Sequence, residues 1–521
     1  MRLPPLFRYF ATVMLGAAPL SLHAQDSLPW RPSWPGTEIA IVQGELTGSG
    51  RFVFRFRMPD GYWIHPHSHP VDAHIRVISG TFLVGMGTVL DSTSVRSIAP
   101  GTAIDVRTGM NHFEGSRGAT VIEVGGTGPW GITFVDPSKA PAAAAPPPAP
   151  PRAITNVTII DVRTGTAVPD QNVVVLGERI AAVGPASATP VPANAQILDG
   201  RGRYLMPGLW DMHVHLDSTD LASLLRFGIT GARDMAGDLE QLLTWRRRIA
   251  ARELPGPRLV FAGPLLRGGG PRTATESGPW IIRTAQEGRA AVDSLAARGV
   301  DFIKVHEDLS REAYFAIAAE AKATGLPFSG HVAAALTPLE VSAAGQRSIE
   351  HLEFVPDRCM PMFAGTTPAG CTTDGLNALI ASLAANGTWL DPTIGSFRIF
   401  ARAQFPGIQA GFAQLVPLLR AHKIRLLAGT DLGTTGIVPG ESLHDELALL
   451  VEAGYTPAEV LRAATLNPAE FLGLADSLGT IERGKIPDMV LLDADPLADI
   501  RNARRIAFVF QRGRVVSRGA P

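Results

Sequence analysis

The sequence predicts a multidomain protein with an N-terminal all-β barrel, followed by a (β/α)8 barrel and a small β-sandwich formed from segments before and after that barrel. Three observations predict this fold. The chain has 521 residues, and at about 150 residues per domain this length favours three or four domain-sized pieces. Residues 138–153 form a Pro/Ala-rich linker. Short alternating apolar runs precede the linker, and apolar strands alternate with amphipathic helices after it.

Residues 1–24 have the pattern of a signal peptide. Arg2 and Arg8 precede an apolar run from Phe10 to Leu22, and Ala24 offers a small residue for cleavage. The apolar run is shorter than the ~20 residues that a membrane-spanning helix needs. We therefore expect an exported protein, periplasmic or secreted, with no membrane span in its mature form.

The elements of the later domains follow in order. Residues 30–136 contain alternating runs such as RFVFRFR at 51–57 and predict an all-β barrel. Residues 154–206 and 479–518 hold short strands that together predict the composite β-sandwich. Residues 207–478 repeat a strand–helix unit that is typical of a parallel (β/α)8 barrel. We count eight strand candidates in that segment: 211–216, 228–234, 258–262, 302–306, 327–331, 348–352, 388–392 and 424–431.

The composition excludes several classes of protein. Hydrophobic residues make up 45% of the chain, charged residues 18%, and the formal net charge is −1. A disordered polymer or a basic nucleic-acid binder is therefore disfavoured. Two cysteines are too few for a Cys-ligated zinc ribbon or an iron–sulfur cluster. We expect a small-molecule substrate and no nucleic-acid partner, and the oligomeric state is left open.

Histidine pairs and strand ends mark a candidate metal site in the predicted (β/α)8 barrel. His213 and His215 lie two residues apart in its first strand, so their side chains point to the same side. The ends of the fourth, fifth, sixth and eighth strands add further candidates, Lys304, His331, His351 and Asp431. The C-terminal ends of barrel strands carry the chemistry of barrel enzymes. Imidazole and carboxylate groups suit divalent metals such as zinc.

These candidates also have simpler interpretations. His331 and His351 could be hydrogen-bonded core histidines, and Asp431 could cap a helix. Lys304 could place its ammonium group in water. A buried ammonium beside metals would be costly, whereas a neutral Lys304 can add carbon dioxide and form a carbamate that bridges two ions.

The stretch 206–215, MPGLWDMHVH, resembles the first-strand signature of the amidohydrolase superfamily. Further motifs are similar to its imidazolonepropionase-like and Xaa-Pro dipeptidase branch: FIKVH at 302–306, GH at 330–331, IEH at 349–351, GTD at 429–431 and LGTIERGK at 478–485. The resemblance covers nearly all of residues 153–518 and also implies the split β domain. It implies one metal on His213 and His215, a second on His331 and His351, carboxylated Lys304 between them, and Asp431 at the first metal and the hydrolytic water.

A second resemblance lies in residues 35–136. Gly61-x5-His67-x-His69, Gly80, Pro100-Gly101 and His112 are similar to the two signature motifs of a cupin barrel. At the positions where cupins usually carry a glutamate ligand, this chain has Ala73 and His74. We therefore expect a divalent metal on His67, His69 and His112, with His74 as the candidate fourth ligand. The alternative is a cupin kept for sugar binding, docking or stability.

These patterns predict a binuclear metal-dependent hydrolase that cleaves a peptide-like, cyclic or acyl-amino-acid amide bond. Asp431 would accept a proton from the attacking water and return it to the leaving amine. Lactones, esters or phosphotriesters are alternative substrates of the same site. A different class of function is a cupin-based binding or sensing protein with a non-catalytic barrel. A third is a cupin oxidoreductase, which the glutamate missing from its usual position disfavours.

Two loop features complete the expectations. Arg267 and Arg272 lie in a Gly-rich loop, where either could clamp a substrate carboxylate or simply face solvent. Cys359 and Cys371 lie in the long loop after the sixth strand. In an exported protein these two residues are candidates for a disulfide.

Overall fold

The computed structural model describes residues 28–141, 150–269, 278–355, 359, 371–400 and 408–518. Contacts between Cα atoms divide the chain into two compact units, residues 1–149 and 150–521. The expected signal peptide at 1–24 lies outside the described residues, as do Arg272 and the central part of the linker. None of the described helices is long and apolar enough to cross a membrane.

The first unit consists of β-strands in its described part, with one short 3-10 helix at Pro137–Lys139. Alternation in β3 buries Phe52, Phe54 and Phe56 on one face, as the period of two requires. The nine strands are β1 (Arg31–Pro32), β2 (Glu38–Gln43), β3 (Arg51–Met58), β4 (Trp63–Ser68), β5 (Ala73–Met86), β6 (Arg96–Ile98), β7 (Ala103–Val106), β8 (His112–Thr127) and β9 (Thr133–Phe134).

These strands form one antiparallel sheet in the order β1-β2-β3-β8-β4-β9, and β5 pairs with β6, β7 and β8. The long strand β8 organises the sheet because it pairs with β3, β4 and β5. Its register with β4 sets His67 opposite His112. The closed cupin barrel remains a prediction, since the ladders of the described residues follow an open path.

The second unit combines a β domain and a barrel. Its strands are β10 (Arg152–Asp161), β11 (Thr166–Leu176), β12 (Arg179–Pro185), β13 (Gln196–Asp199), β14 (Tyr204–Pro207), β15 (Leu209–Val214), β16 (Ile229–Asp234), β17 (Arg258–Phe261), β18 (Leu266–Arg267), β19 (Trp280–Ile281), β20 (Ile303–Val305), β21 (Phe328–Gly330), β22 (Ser348–Glu350), β23 (Trp389–Asp391), β24 (Met489–Leu492), β25 (Ile506–Gln511) and β26 (Arg514–Arg518). A sheet in the order β12-β11-β10-β14-β24-β25-β26, with β13 beside β10, unites the segments before and after the barrel.

The barrel has parallel strands with helices between them. Capping boxes at Thr284, Thr337 and Thr456 start three of its helices. The helices are α1 (Asp220–Arg226), α2 (Leu239–Ala250), α3 (Ala285–Ala297), α4 (Arg311–Thr324), α5 (Pro338–Ala343), α6 (Thr373–Ala385), α7 (Ile394–Phe400), α8 (Ile408–Ala421), α9 (Glu441–Glu452), α10 (Pro457–Ala463) and α11 (Leu466–Phe471). Strands β15, β16 and β17 form one parallel ladder, and β20, β21, β22 and β23 continue another.

The predicted eighth barrel strand, 424–431, differs from the other seven. It is held by isolated parallel bridges, Leu390 with Leu426 on one side and Val214 with Leu432 on the other. Its end leaves the β conformation because Asp431 adopts a φ of 61°. These bridges still connect the last strand to both the seventh and the first. The structure therefore confirms a (β/α)8 barrel accompanied by a β-rich domain.

Candidate metal centre

The candidate metal centre is built around His213 and His215, at the C-terminal end of the first barrel strand, β15. β15 is buried along its whole length, and His213 is fully buried at its C-terminal end. The Nε2 atoms of His213 and His215 lie 3.5 and 3.4 Å from Oδ1 of Asp431. The candidate ligand atoms of these three residues all lie within 4.8 Å of one another.

The Nδ1 atoms of His213 and His215 both have hydrogen-bond partners. His213 Nδ1 lies 3.0 Å from a carboxylate oxygen of Glu350, and His215 Nδ1 donates to the carbonyl of Ala236 at 3.1 Å. Since a carbonyl can only accept, the neutral His215 ring keeps its lone pair on Nε2, towards Asp431. Nε2 of His213 is buried without a hydrogen-bond partner among the described residues.

The unusual backbone of Asp431 orients its carboxylate. Ser396 and Thr434 donate hydroxyl hydrogen bonds to Oδ2 at 2.7 and 3.0 Å, which leaves Oδ1 facing the histidines. Burial alone would raise the pKa of Asp431. The nearby imidazoles of His215, His213 and His351 outweigh burial and hold that pKa well below its ordinary value. Asp431 is therefore a fixed carboxylate.

Lys304 lies in β20 and is almost completely buried. Its Nζ makes no hydrogen bond within the part of the chain that the structure describes. Burial lowers the pKa of Lys304, although the charges of Glu350 and Asp431 oppose this effect. Burial lowers the pKa of both His213 and His331, and the positive charge of Lys304 adds to this effect.

His331 and His351 complete the group expected from the sequence. The ring centroid of His351 lies 4.8 Å from those of both His213 and His331. His331 Nδ1 is 2.6 Å from Glu353, and His351 Nδ1 is 2.7 Å from the Thr393 hydroxyl. Burial lowers the pKa of His351 to about 4, which keeps the ring neutral and suitable for metal binding at neutral pH.

A buried arginine network lies next to His213, and the sequence reasoning missed it. Arg233 is fully buried, and its guanidinium donates to Glu350 at 2.8 Å, Asp391 at 3.3 Å and Ser348 at 3.0 Å. The guanidinium supplies the positive charge that lets the carboxylates of Glu350 and Asp391 lie next to His213. An Arg inside a predicted barrel strand was the available signal, because buried arginines need partners.

Two loop expectations have clear structural outcomes. The guanidinium of Arg267 is bound by Asp308 at 2.8 Å, and that carboxylate also accepts backbone N–H bonds from Gly268 and Gly269. Arg267 is therefore not a free clamp for substrate. Cys359 and Cys371 form a disulfide with Cα atoms 5.3 Å apart.

A second cluster lies in the first unit. Ligand atoms of His67, His69, His112 and Glu114 lie within 4.8 Å of one another, and all four residues are buried. The prediction that His74 is the fourth ligand is wrong. His74 lies on the outward face of β5, where its exposed ring pairs with Asp105 at 2.7 Å.

The carboxylate of this second cluster comes from β8. Glu114 follows His112 by two residues in the same strand, so both side chains point to the same face. The His-x-Glu spacing at His112 and Glu114 is the signal in the sequence from which this carboxylate could have been predicted.

The match to a known protein family lies within the second unit, residues 150–521. Residues 204–516 match the model of the Amidohydrolase family. The adenine deaminase of Rubrobacter xylanophilus is 25% identical over 395 residues, covering 71% of this chain and 58% of that protein. The imidazolonepropionase of Sphingopyxis alaskensis is 26% identical, covering 62% of this chain and 86% of its own length. A putative prolidase from Bifidobacterium longum has a TM-score of 0.60 and 28% identity, and the match covers 72% of this chain and 96% of that structure.

Proposed function

The chain belongs to the amidohydrolase family, and from this premise we propose that it is an exported hydrolase that uses two divalent metal ions, most simply zinc, to cleave an amide bond. The family and its relatives support hydrolysis of a carbon–nitrogen bond. The proposed substrates are peptide-like, cyclic or acyl-amino-acid amides. The proposed ligands are His213, His215, Lys304 as its carbamate, His331, His351 and Asp431.

One observation carries the proposal. Two buried nitrogen atoms, Nε2 of His213 and Nζ of Lys304, face the site without a hydrogen-bond partner among the described residues. Leaving a buried polar atom unsatisfied costs about 1–3 kcal/mol. A metal would take up the lone pair of His213 Nε2, and carboxylation would take up the lone pair of Lys304 Nζ. The neighbouring rings of His215, His331 and His351 are held through their Nδ1 atoms, which leaves Nε2 for the metal.

The residues of the chain divide the catalytic work. Divalent ions bound there would lower the pKa of water and polarise the scissile carbonyl. Asp431 is placed to accept the proton of the attacking water through Oδ1, because Ser396 and Thr434 hold the other oxygen. The same carboxyl group then delivers the proton to the leaving nitrogen. Glu350 holds the His213 ring through Nδ1.

The test combines a substrate screen with one substitution. Zinc-loaded protein is assayed on dipeptides, acylated amino acids, cyclic amides, lactones and phosphotriesters. Asp431→Asn should lower turnover of the best substrate by roughly 10²–10⁴-fold, and Asp293→Asn, an exposed change on α3, should leave it unchanged. An active Asp431→Asn variant would remove Asp431 from proton transfer. Turnover confined to lactones or phosphotriesters would contradict the amide assignment.

Export is proposed from residues 1–24 and is supported by the disulfide, which is typical of oxidising compartments. Expression of the full chain in a Gram-negative host, followed by fractionation and N-terminal sequencing, tests it. We expect periplasmic protein that begins near Gln25. An intact N-terminus in the cytoplasmic fraction would contradict export.

A further inference from the structure

A cavity of about 470 Å³ lies in the second unit, between the start of β17, the end of α2 and the hairpin of β25 and β26. Arg258, in its wall, is the first residue of β17, and Asp301, also in the wall, lies two residues before β20. The cavity is therefore at the N-terminal rim of the barrel, opposite the strand ends that carry the candidate metal centre. Its volume lies within the ~300–1,000 Å³ that is usual for sites of small organic ligands.

Five arginines line this space, which we call the arginine cavity: Arg246, Arg252, Arg258, Arg512 and Arg514. The whole chain has a formal net charge of −1, so this concentration of positive charge is a local feature. Among the described residues, three of these arginines each make one side-chain hydrogen bond to a carboxylate: Arg246 to Asp301, Arg252 to Glu178 and Arg258 to Asp488. Five guanidiniums are thus matched by three carboxylates.

The excess positive charge is at the hairpin side of the cavity. Arg512 lies 3.8 Å from Glu178, the same carboxylate that binds Arg252. The Arg514 side chain is exposed and makes no hydrogen bond or ion pair within the part of the chain that the structure describes. Burial and the charges of Arg514 and Arg512 lower the pKa of Arg252. A cleft lined by uncompensated charge of one sign attracts ions of the opposite sign.

Two of the five arginines occupy left-handed backbone positions. Arg252, just after α2, has a φ of 64°, and Arg512, in the turn between β25 and β26, has a φ of 47°. Glycine and asparagine are favoured at such positions because a larger L side chain is strained there. Strained residues of this kind are concentrated at functional sites, and here both of them bring a guanidinium to the cavity wall.

Most of the remaining wall is apolar and includes Leu225, Leu254, Leu259 and Val516. An inorganic anion would meet the guanidiniums and leave this apolar surface in water. A neutral apolar molecule would leave the excess charge unmatched. The two kinds of wall together fit a ligand that carries a negative group on an apolar body, because planar guanidiniums bind carboxylate and phosphate groups well.

We propose that the arginine cavity is a binding site for an organic anion with an apolar body, of which a medium-chain carboxylate is the simplest example. The anionic group contacts Arg514 and its neighbours Arg252 and Arg512, and the chain packs against Leu254 and Val516. This site is separate from the metal centre and does not rest on the proposed hydrolase activity.

Calorimetric titration of the full-length protein with octanoate tests the charged part of the site. Arg514→Gln should weaken octanoate binding by about fivefold, since one exposed ionic contact is lost. Arg518→Gln, an exposed change on the same strand and outside the wall, is the matched control and should bind as wild type does. Octan-1-ol, which has no charge, should bind far more weakly than octanoate. Equal octanoate affinity in wild type and Arg514→Gln would overturn the proposal.

Two neighbouring valines test the apolar part. Val515 and Val516 are 39% and 40% exposed, but successive residues of a strand point to opposite faces, and only Val516 belongs to the wall. Val516→Asp should weaken octanoate binding by roughly tenfold or more, because it removes apolar contact and adds a carboxylate that competes for the arginines. Val515→Asp should have no effect. Equal effects of the two substitutions would refute this cavity as the site.

Chemical footprinting of the wild-type protein covers the case in which a variant does not fold. Phenylglyoxal modifies accessible arginines, and mass spectrometry of peptides measures the extent at each one. Octanoate should slow the modification of Arg514 severalfold and leave that of Arg518 unchanged, whereas octan-1-ol at the same concentration should protect neither. Modification of Arg514 at the same rate with and without saturating octanoate would contradict binding at this cavity.

Discussion

Replacement of the buried Arg233 by methionine tests the network that supports the metal centre. The guanidinium of Arg233 is fully buried and contacts Glu350, Asp391 and Ser348. Burial and the charge of Glu350 raise the pKa of Asp391 well above its ordinary value, so Glu350 is the carboxylate that Arg233 neutralises. Methionine fills similar volume and leaves that carboxylate buried without its cation.

The expected cost follows from these contacts. Removing one partner of a buried ion pair destabilises a protein by about 3–5 kcal/mol, and we expect the free energy of unfolding of the barrel to fall by that amount. Arg233→Met/Glu350→Gln should recover most of the loss, because the stranded charge is gone. It should still bind metal more weakly than wild type, by roughly 10–100-fold, since His213 loses its carboxylate partner.

Urea unfolding followed by circular dichroism at 222 nm measures the effect, because the described α-helices all belong to the barrel region. Arg289→Met, an exposed change on α3, is the control and should stay within about 0.5 kcal/mol of wild type. A loss below about 1 kcal/mol for Arg233→Met, or a double variant no more stable than the single one, would refute the argument.

Three further predictions concern metal, pH and the disulfide. Lys304→Met should lose barrel metal and hydrolysis together, since the bridging group is absent, and unchanged zinc content by mass spectrometry would exclude the carbamate. Burial lowers the pKa of His444 to about 4, so its contribution to stability is complete above pH 6.5 and is lost as the pH falls towards 4, by about 2 kcal/mol between pH 6.5 and pH 5. His444→Gln should flatten that part of the stability profile in urea unfolding, and an unchanged slope would contradict it. Cys359→Ser/Cys371→Ser should lower the free energy of unfolding by up to about 3 kcal/mol, since the bond closes a loop with a sequence separation of 12, and an unchanged unfolding midpoint would show that the loop is ordered without it.

The barrel residues of the site could be predicted because the direction of each strand determines the rim at which its C-terminal end lies. His213, Lys304 and His331 each lie at the C-terminal end of a strand, and parallel strands in a barrel bring those ends to one rim. Periodicity and spacing therefore sufficed, without knowledge of any contact. This reasoning does not reach residues on helices, such as His444 in α9, which is buried against the carbonyl of Phe227.

Partners far apart in sequence could not be predicted. Arg233 meets Glu350 across 117 positions and Asp391 across 158, and Arg267 meets Asp308 across 41. Local patterns do not encode which charged side chains share a buried space. These pairings decide which arginines are structural and which histidine is held for metal binding.

The sequence by itself determined the alternation of strands and helices, the division at the Pro/Ala linker, and the strand ends that carry histidine, lysine and aspartate. Only the tertiary structure decided that Glu114, and not His74, completes the cluster of the first unit. Successive residues of a strand point to opposite faces, and the pairing of β4 with β8 sets His67 opposite His112. Glu114 therefore faces the buried histidines, while His74, on the outer face of β5, meets Asp105 in solvent. Strand register, which depends on contacts across the whole sheet, selects the face that each side chain occupies.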